Sequence, residues 1–141
     1  MNMQMITNIQ QNNNLAALRP GTVLSTGRPG FRHFGVSTDY YINGLPTVIS
    51  NTGKYGKVME ESLEQFKEQG DLKIEGYWGS LLPQEVLRRA REKLGTRYII
   101  LNWNCEHFVR FVHGLKLESP QVALVGVMVI GAILLLGLSR A

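Results

Sequence analysis

The feature that most restricts this chain lies near its end, where residues 122–138 form an uninterrupted run of Val, Ala, Leu, Gly, Met and Ile. No face of that run is polar, so as a helix it has no stripe with which to pack on a globular core. At about 1.5 Å rise per residue it covers roughly 26 Å, near the lower limit for a hydrocarbon core of about 30 Å. A domain of the size that remains is too small to surround a helix that is apolar on every side. The run is therefore expected to be a single transmembrane helix, with Lys116 and Arg140 placed to snorkel at its two ends. Three residues follow it. This pattern predicts a C-terminal anchor, and the basic residues ahead of the run place the domain on the cytoplasmic face.

Residues 1–14 are polar and rich in Gln and Asn, with neither a basic stretch nor an apolar stretch of the kind a signal peptide needs. Residues 1–17 are expected to form a disordered polar tail, which leaves 18–121 as one domain. Fifteen Lys and Arg against eleven Asp and Glu give a net charge of +4. The cations are scattered without interleaved aromatics, which argues against a nucleic-acid partner. One cysteine excludes an internal disulfide and a Cys-rich zinc site. No metal-spaced cluster is present, and Gly27, Gly30 and Gly35 do not form a phosphate-binding loop, so no cofactor is expected.

Within the domain, Pro20-Gly21 opens ordered structure and Thr22, Val23 and Leu24 begin a first strand. A tight loop at 27–30 leads to a second strand from Phe31, on which Phe34 and Val36 share one face and His33 faces away from it. Asn43-Gly44 is a hairpin signal, and 47–50 is the returning strand. Residues 59–69 have helical composition and 72–78 return to strand. Pro83 and the stripe of Val86, Leu87, Ala90 and Leu94 mark a clearer helix over 80–94, stopped by Gly95. Asn104 is a good N-cap for an amphipathic helix bearing Phe108, Val109, Phe111 and Val112, which Gly114 ends. The result is an α+β domain whose antiparallel sheet packs on that last helix.

Cys105 is consequently a first-turn residue. There the helix dipole and the unpaired backbone N–H groups favour thiolate over thiol, the setting of a nucleophilic cysteine. A partner imidazole is required. His107 lies two residues along the same helix, about 200° round, and so points the other way. His113 is roughly 12 Å further along the axis. His33 remains as general base. A third polar group should hold its far nitrogen, and Ser50, or failing that Asn51, lies on the strand paired alongside. Asn104, Glu106 and His107 are expected to support the site without reacting, and the backbone N–H of Cys105 is the natural first donor to an oxyanion.

Asn104-Cys105-Glu106-His107-Phe108, preceded by the His33 to Val36 unit and the Pro20-Gly21 opening, resembles the lecithin:retinol acyltransferase-like (LRAT) domain family. That family belongs to the NlpC-type branch of papain-like enzymes and includes H-rev-type phospholipid acyltransferases and phospholipases. The likeness runs from about residue 18 to 121. It implies a circularly permuted papain-like fold, histidine first and cysteine later, with His33 as base and Cys105 as nucleophile. It also implies a third polar residue, often histidine, aligned near Ser50, where this chain departs. The implied activity is acyl transfer or hydrolysis on glycerophospholipid esters through a thioester on Cys105, resolved by water, an amine or an alcohol at a phospholipid membrane. Two alternatives stand beside it: an NlpC-type peptidase or amidase, and a non-catalytic membrane-bound module that keeps the fold.

Overall fold

A computed structural model describes residues 1–117, 120–124 and 128. Five antiparallel strands form one sheet: β1 (Val23–Arg28), β2 (Phe31–Ile42), β3 (Leu45–Thr52), β4 (Lys57–Glu61) and β5 (Leu72–Gly76), in the spatial order β4-β3-β2-β1-β5. The first four make a meander, and β5 returns to the free edge of β1. Pro29-Gly30 turns β1 into β2, with Gly30 at φ +81°. Asn43-Gly44 turns β2 into β3 with both residues at positive φ, the backbone a two-residue hairpin requires.

The strands alternate apolar residues to both faces, and both faces are covered. Val23, Val36, Ile49 and Val58 bury against α3 (Pro83–Glu92) and α4 (Cys105–Val112), where Val86, Ala90, Phe108, Val109 and Val112 complete a core. Leu24 and Val48 point the other way, into a second cluster with Leu15, Leu63 and Phe66 from α1 (Met3–Ala16) and α2 (Leu63–Lys67). Gly35 lies under that second cluster, where an added Cβ would meet Val48 Cγ1 at 2.6 Å and Phe66 Cε2 at 2.9 Å.

Three expectations need correction. The N-terminal stretch is helical rather than disordered: Asn2 caps α1 by accepting from the Met5 N–H, and Leu15 anchors its last turn in the second cluster. Residues 59–69 are not one helix. Val58 is fully buried as part of β4, so the strand runs to Glu61, and the helix starts only after Ser62. There Ser62 and Gln65 exchange hydrogen bonds in a capping box, a start signal that the overall composition had masked. Finally, His33 faces away from Phe34 and Val36 as alternation requires, yet it is buried, because the opposite face carries a core of its own. Most of residues 122–138 lies outside the described residues, and among the described residues no helix is long and apolar enough to cross a membrane.

Candidate active site

Asn104 fixes the start of α4. Its side chain accepts from the Glu106 N–H at 3.0 Å and the His107 N–H at 3.2 Å, while the His107 ring takes the Asn104 N–H on Nδ1 at 3.2 Å. This is a capping box with histidine in the role usually held by Glu or Gln. It turns the His107 ring back along its own helix. His113 is fixed elsewhere: Nδ1 accepts from the Gly79 N–H at 3.1 Å, and Nε2 meets the Gly21 carbonyl at 2.7 Å. Both rings therefore serve the fold, and His33 alone lines the cavity that Cys105 lines.

That cavity, about 410 Å³, is lined by Cys105, His33, Tyr98 and Phe31 together with Arg28, Lys54, Glu61 and Glu68. The sulfur lies against β2 on either side of His33. Sγ donates weakly to the Arg32 carbonyl at 4.0 Å, and the Phe34 N–H is aimed at it. The His33 ring packs on Phe66 with centroids 5.1 Å apart and engages Ser50 Oγ through Nε2 at 3.2 Å. Nδ1 makes no hydrogen bond among the described residues. With the ring proton on Nε2, where Ser50 accepts it, Nδ1 keeps a lone pair for the cavity. Asn51 points to the opposite face of the sheet, where its Nδ2 donates to the Trp103 carbonyl at 2.6 Å. Geometry thus brings Ser50, and not Asn51, to His33.

The electrostatics depart from the expectation for a first-turn thiol. Burial pushes the Cys105 thiol up to about 11, against a smaller opposing pull from the Phe34 N–H and a further rise from Glu106. Burial also lowers the His33 imidazole to about 4, with the Arg28 guanidinium acting in the same direction. Desolvation outweighs the helix N-terminus, so the resting groups are a neutral thiol and a neutral imidazole. No three His, Cys, Asp or Glu side chains converge to hold a metal ion among the described residues.

A family model described as lecithin retinol acyltransferase matches residues 16–114. The chain belongs to the lecithin retinol acyltransferase family. A curated relative, lecithin retinol acyltransferase of Mus musculus, is 27% identical over 130 residues, covering 72% of this chain and 56% of its own length. The chain thus spans little more than half of that relative. The mixed helix and antiparallel-sheet architecture agrees with membership of this family.

Two residues at this family member's site are given no role there by the sequence. Tyr98 stands seven positions before Cys105 in an apolar run, yet its ring lines the cavity, and burial followed by the neighbouring sulfur raises its phenol. Gln121 lies beyond the family match, but its amide forms a two-way bridge to the Arg32 backbone: Oε1 accepts from the N–H at 3.0 Å and Nε2 donates to the carbonyl at 3.3 Å. The same Nε2 donates to the buried Glu106 carboxylate. Only a register that brings distant segments together could reveal either one. Glu106, expected to support the site without reacting, is the partner that Gln121 holds.

Proposed function

We propose that this protein is a cysteine-dependent acyltransferase or phospholipase acting on glycerophospholipid acyl esters, with Cys105 as nucleophile and His33 as general base and acid. The observation that carries this reading is the single cavity lined by both Cys105 and His33, with the His33 ring held from behind by Ser50. Because both groups rest neutral, proton transfer accompanies attack. The sulfur adds to the ester carbonyl carbon as its proton passes to His33 Nδ1, and negative charge grows on the carbonyl oxygen beside the Cys105 N–H, with the Tyr98 hydroxyl as a further donor. His33 then gives its proton to the departing glycerol oxygen, leaving a thioester on Cys105. An acceptor, whether water, amine or alcohol, loses a proton to His33 as it attacks that thioester. The thiol leaves with the proton restored.

A lipid substrate is favoured by the rim. Phe31, Ile99, Ile100 and Leu101 are 47–65% exposed, and three of them form the loop between Tyr98 and the α4 cap. One exposed apolar side chain on the cavity wall, Phe31, and three more that directly follow the lining residue Tyr98 in the chain suit contact with acyl chains better than contact with water. The name of the mouse relative supports acyl transfer. In this reading the apolar residues 122–138 hold the domain at the cytoplasmic surface of its membrane, which raises the local concentration of a substrate confined to the bilayer.

The test is intact-mass analysis of the full chain in detergent or vesicles after mixing with a fluorogenic phospholipid. A lipid acyl adduct on Cys105, absent in Cys105→Ala and nearly absent in His33→Ala, is the expected result. Turnover retained in Cys105→Ala removes the thiol from its role, and cleavage of peptides with no lipid adduct moves the chain to the NlpC-type peptidases.

A further inference from the structure

At its reactive end β2 is a strand secured on one side. β1 pairs with it from Phe31 to Val36, placing Thr26 opposite His33 and Gly27 opposite Arg32. On the other side, pairing with β3 begins only at Val36, opposite Ile49. Carried four residues back, that register would set Arg32 against Gly53, one residue past the end of β3 at Thr52. The Arg32 N–H and carbonyl therefore face a gap in the sheet, and backbone groups away from water need partners. Gln121 fills the gap. A side-chain amide offers a carbonyl and an N–H together, as a peptide does, and this one meets both Arg32 groups where the next strand would have stood.

The hydrogen bonds of this amide run toward both reactive residues. The Arg32 carbonyl belongs to the peptide that leads into His33, and the same oxygen receives the Cys105 thiol at 4.0 Å. The second hydrogen on Nε2 goes to the carboxylate of Glu106, the residue after Cys105. One side chain thus ties the peptide before His33 to the first turn of α4. Its orientation is fixed, because exchanging oxygen and nitrogen would set an oxygen against two acceptors. Both amide hydrogens are spent, so none is left to hold a substrate. Taking the Cys105 and His33 chemistry proposed above as given, we infer that Gln121 is a positioning residue for it: the amide sets the Arg32–His33 peptide against α4, and with it the line along which the thiol proton passes to His33. Proton transfer between two neutral groups depends on that line, since it occurs as the sulfur attacks. Alkylation of the same sulfur by iodoacetamide draws on thiolate, without the imidazole, and does not depend on it.

The test measures both reactions of the one sulfur in the full chain in detergent. Wild type is compared with Gln121→Leu, with the near-isosteric Gln121→Glu, and with Gln121→Glu combined with Glu106→Gln, each at a temperature where circular dichroism shows it folded. Acylation is the initial rate of hexanoyl adduct formation on Cys105 from dihexanoyl phosphatidylcholine, read by intact mass across donor concentrations. Both single variants should acylate about 10- to 100-fold more slowly at saturation, the range for reacting groups displaced by up to about 1 Å, with the half-saturating concentration unchanged. Alkylation, set by the thiolate fraction, should stay within about twofold of wild type. The double variant restores the tie between positions 106 and 121 and the acceptor for the Arg32 N–H, so its acylation should exceed that of Gln121→Glu at least about fivefold. Unchanged acylation, a change confined to the half-saturating concentration, alkylation that rises as the pocket opens, or a double variant no faster than Gln121→Glu overturns this inference while the thiol chemistry stands. No hexanoyl adduct in wild type overturns both.

Discussion

At neutral pH the Cys105 thiol should be slow to alkylate, although it begins a helix. Burial raises it from 9.0 to about 11, which lowers the thiolate fraction at pH 7 about 100-fold relative to an ordinary thiol. The more basic thiolate is intrinsically a better nucleophile, and with a Brønsted slope of about 0.4–0.5 that recovers roughly 6- to 10-fold. The net expectation is a rate about 10- to 15-fold below that of the same thiol in unfolded chain, before steric access is counted. Since the chain has a single cysteine, iodoacetamide adduct formation followed by intact mass reports on this group alone. The rate in the folded protein should climb about tenfold per pH unit from roughly pH 7 and show no plateau below about pH 10. The His33→Ala profile should nearly overlay it, because a neutral imidazole does not stabilise a thiolate. A plateau at acid pH, or folded protein reacting faster than unfolded at pH 7, would mean a preformed thiolate–imidazolium pair and would refute the concerted proton transfer proposed above.

Acid should weaken the fold. The His33 imidazole lies at about 4 against an ordinary 6.5, so between these values the unfolded chain binds a proton that the native chain refuses. Stability is full above about pH 6.5 and declines as the pH falls toward 4, by up to about 3 kcal/mol. His107 and His113, also lowered by burial, add to the decline, and Glu61, raised by burial, opposes it; thermal melts at stepped pH check the balance. Ser50→Ala strips the His33 Nε2 of its partner and should cost about 1–3 kcal/mol in chemical denaturation, with turnover down about tenfold; unchanged turnover would show that the ring needs no support. Gly35→Ala places a Cβ 2.6 Å from Val48 and 2.9 Å from Phe66, beneath the ring that stacks on His33. It should destabilise by about 1–3 kcal/mol in the same measurement, and a neutral effect would mean that Phe66 is free to move.

The parts legible in the sequence were those with local signals. Asn104 before Cys105, the Asn43-Gly44 hairpin, Pro83 at a helix start and the alternation around His33 each act within a few residues, and the structure follows them. The choice between Ser50 and Asn51 was not local, because it depends on which face of β3 meets β2 and therefore on register. The acidity of Cys105 was misjudged for a related reason. A first-turn position is visible in sequence, but desolvation is set by β2, which closes over the sulfur from seventy residues away, and it dominates the dipole. The second core had a similar effect on His33: nothing in β2 alone reveals that Phe66 covers it. Tyr98, Glu61 and Gln121 look unremarkable where they stand in the chain, and only the fold gathers them.

Gln121 bears on where this chain can be cut. The family match ends at residue 114, an inviting place to trim the protein for expression. Cutting there deletes the amide that bridges Arg32 and Glu106, the immediate neighbours of His33 and Cys105, and strands a carboxylate in the interior. A truncation that spares the domain by its homology boundary would loosen its reactive end, whereas one ending a few residues after position 121 keeps the brace.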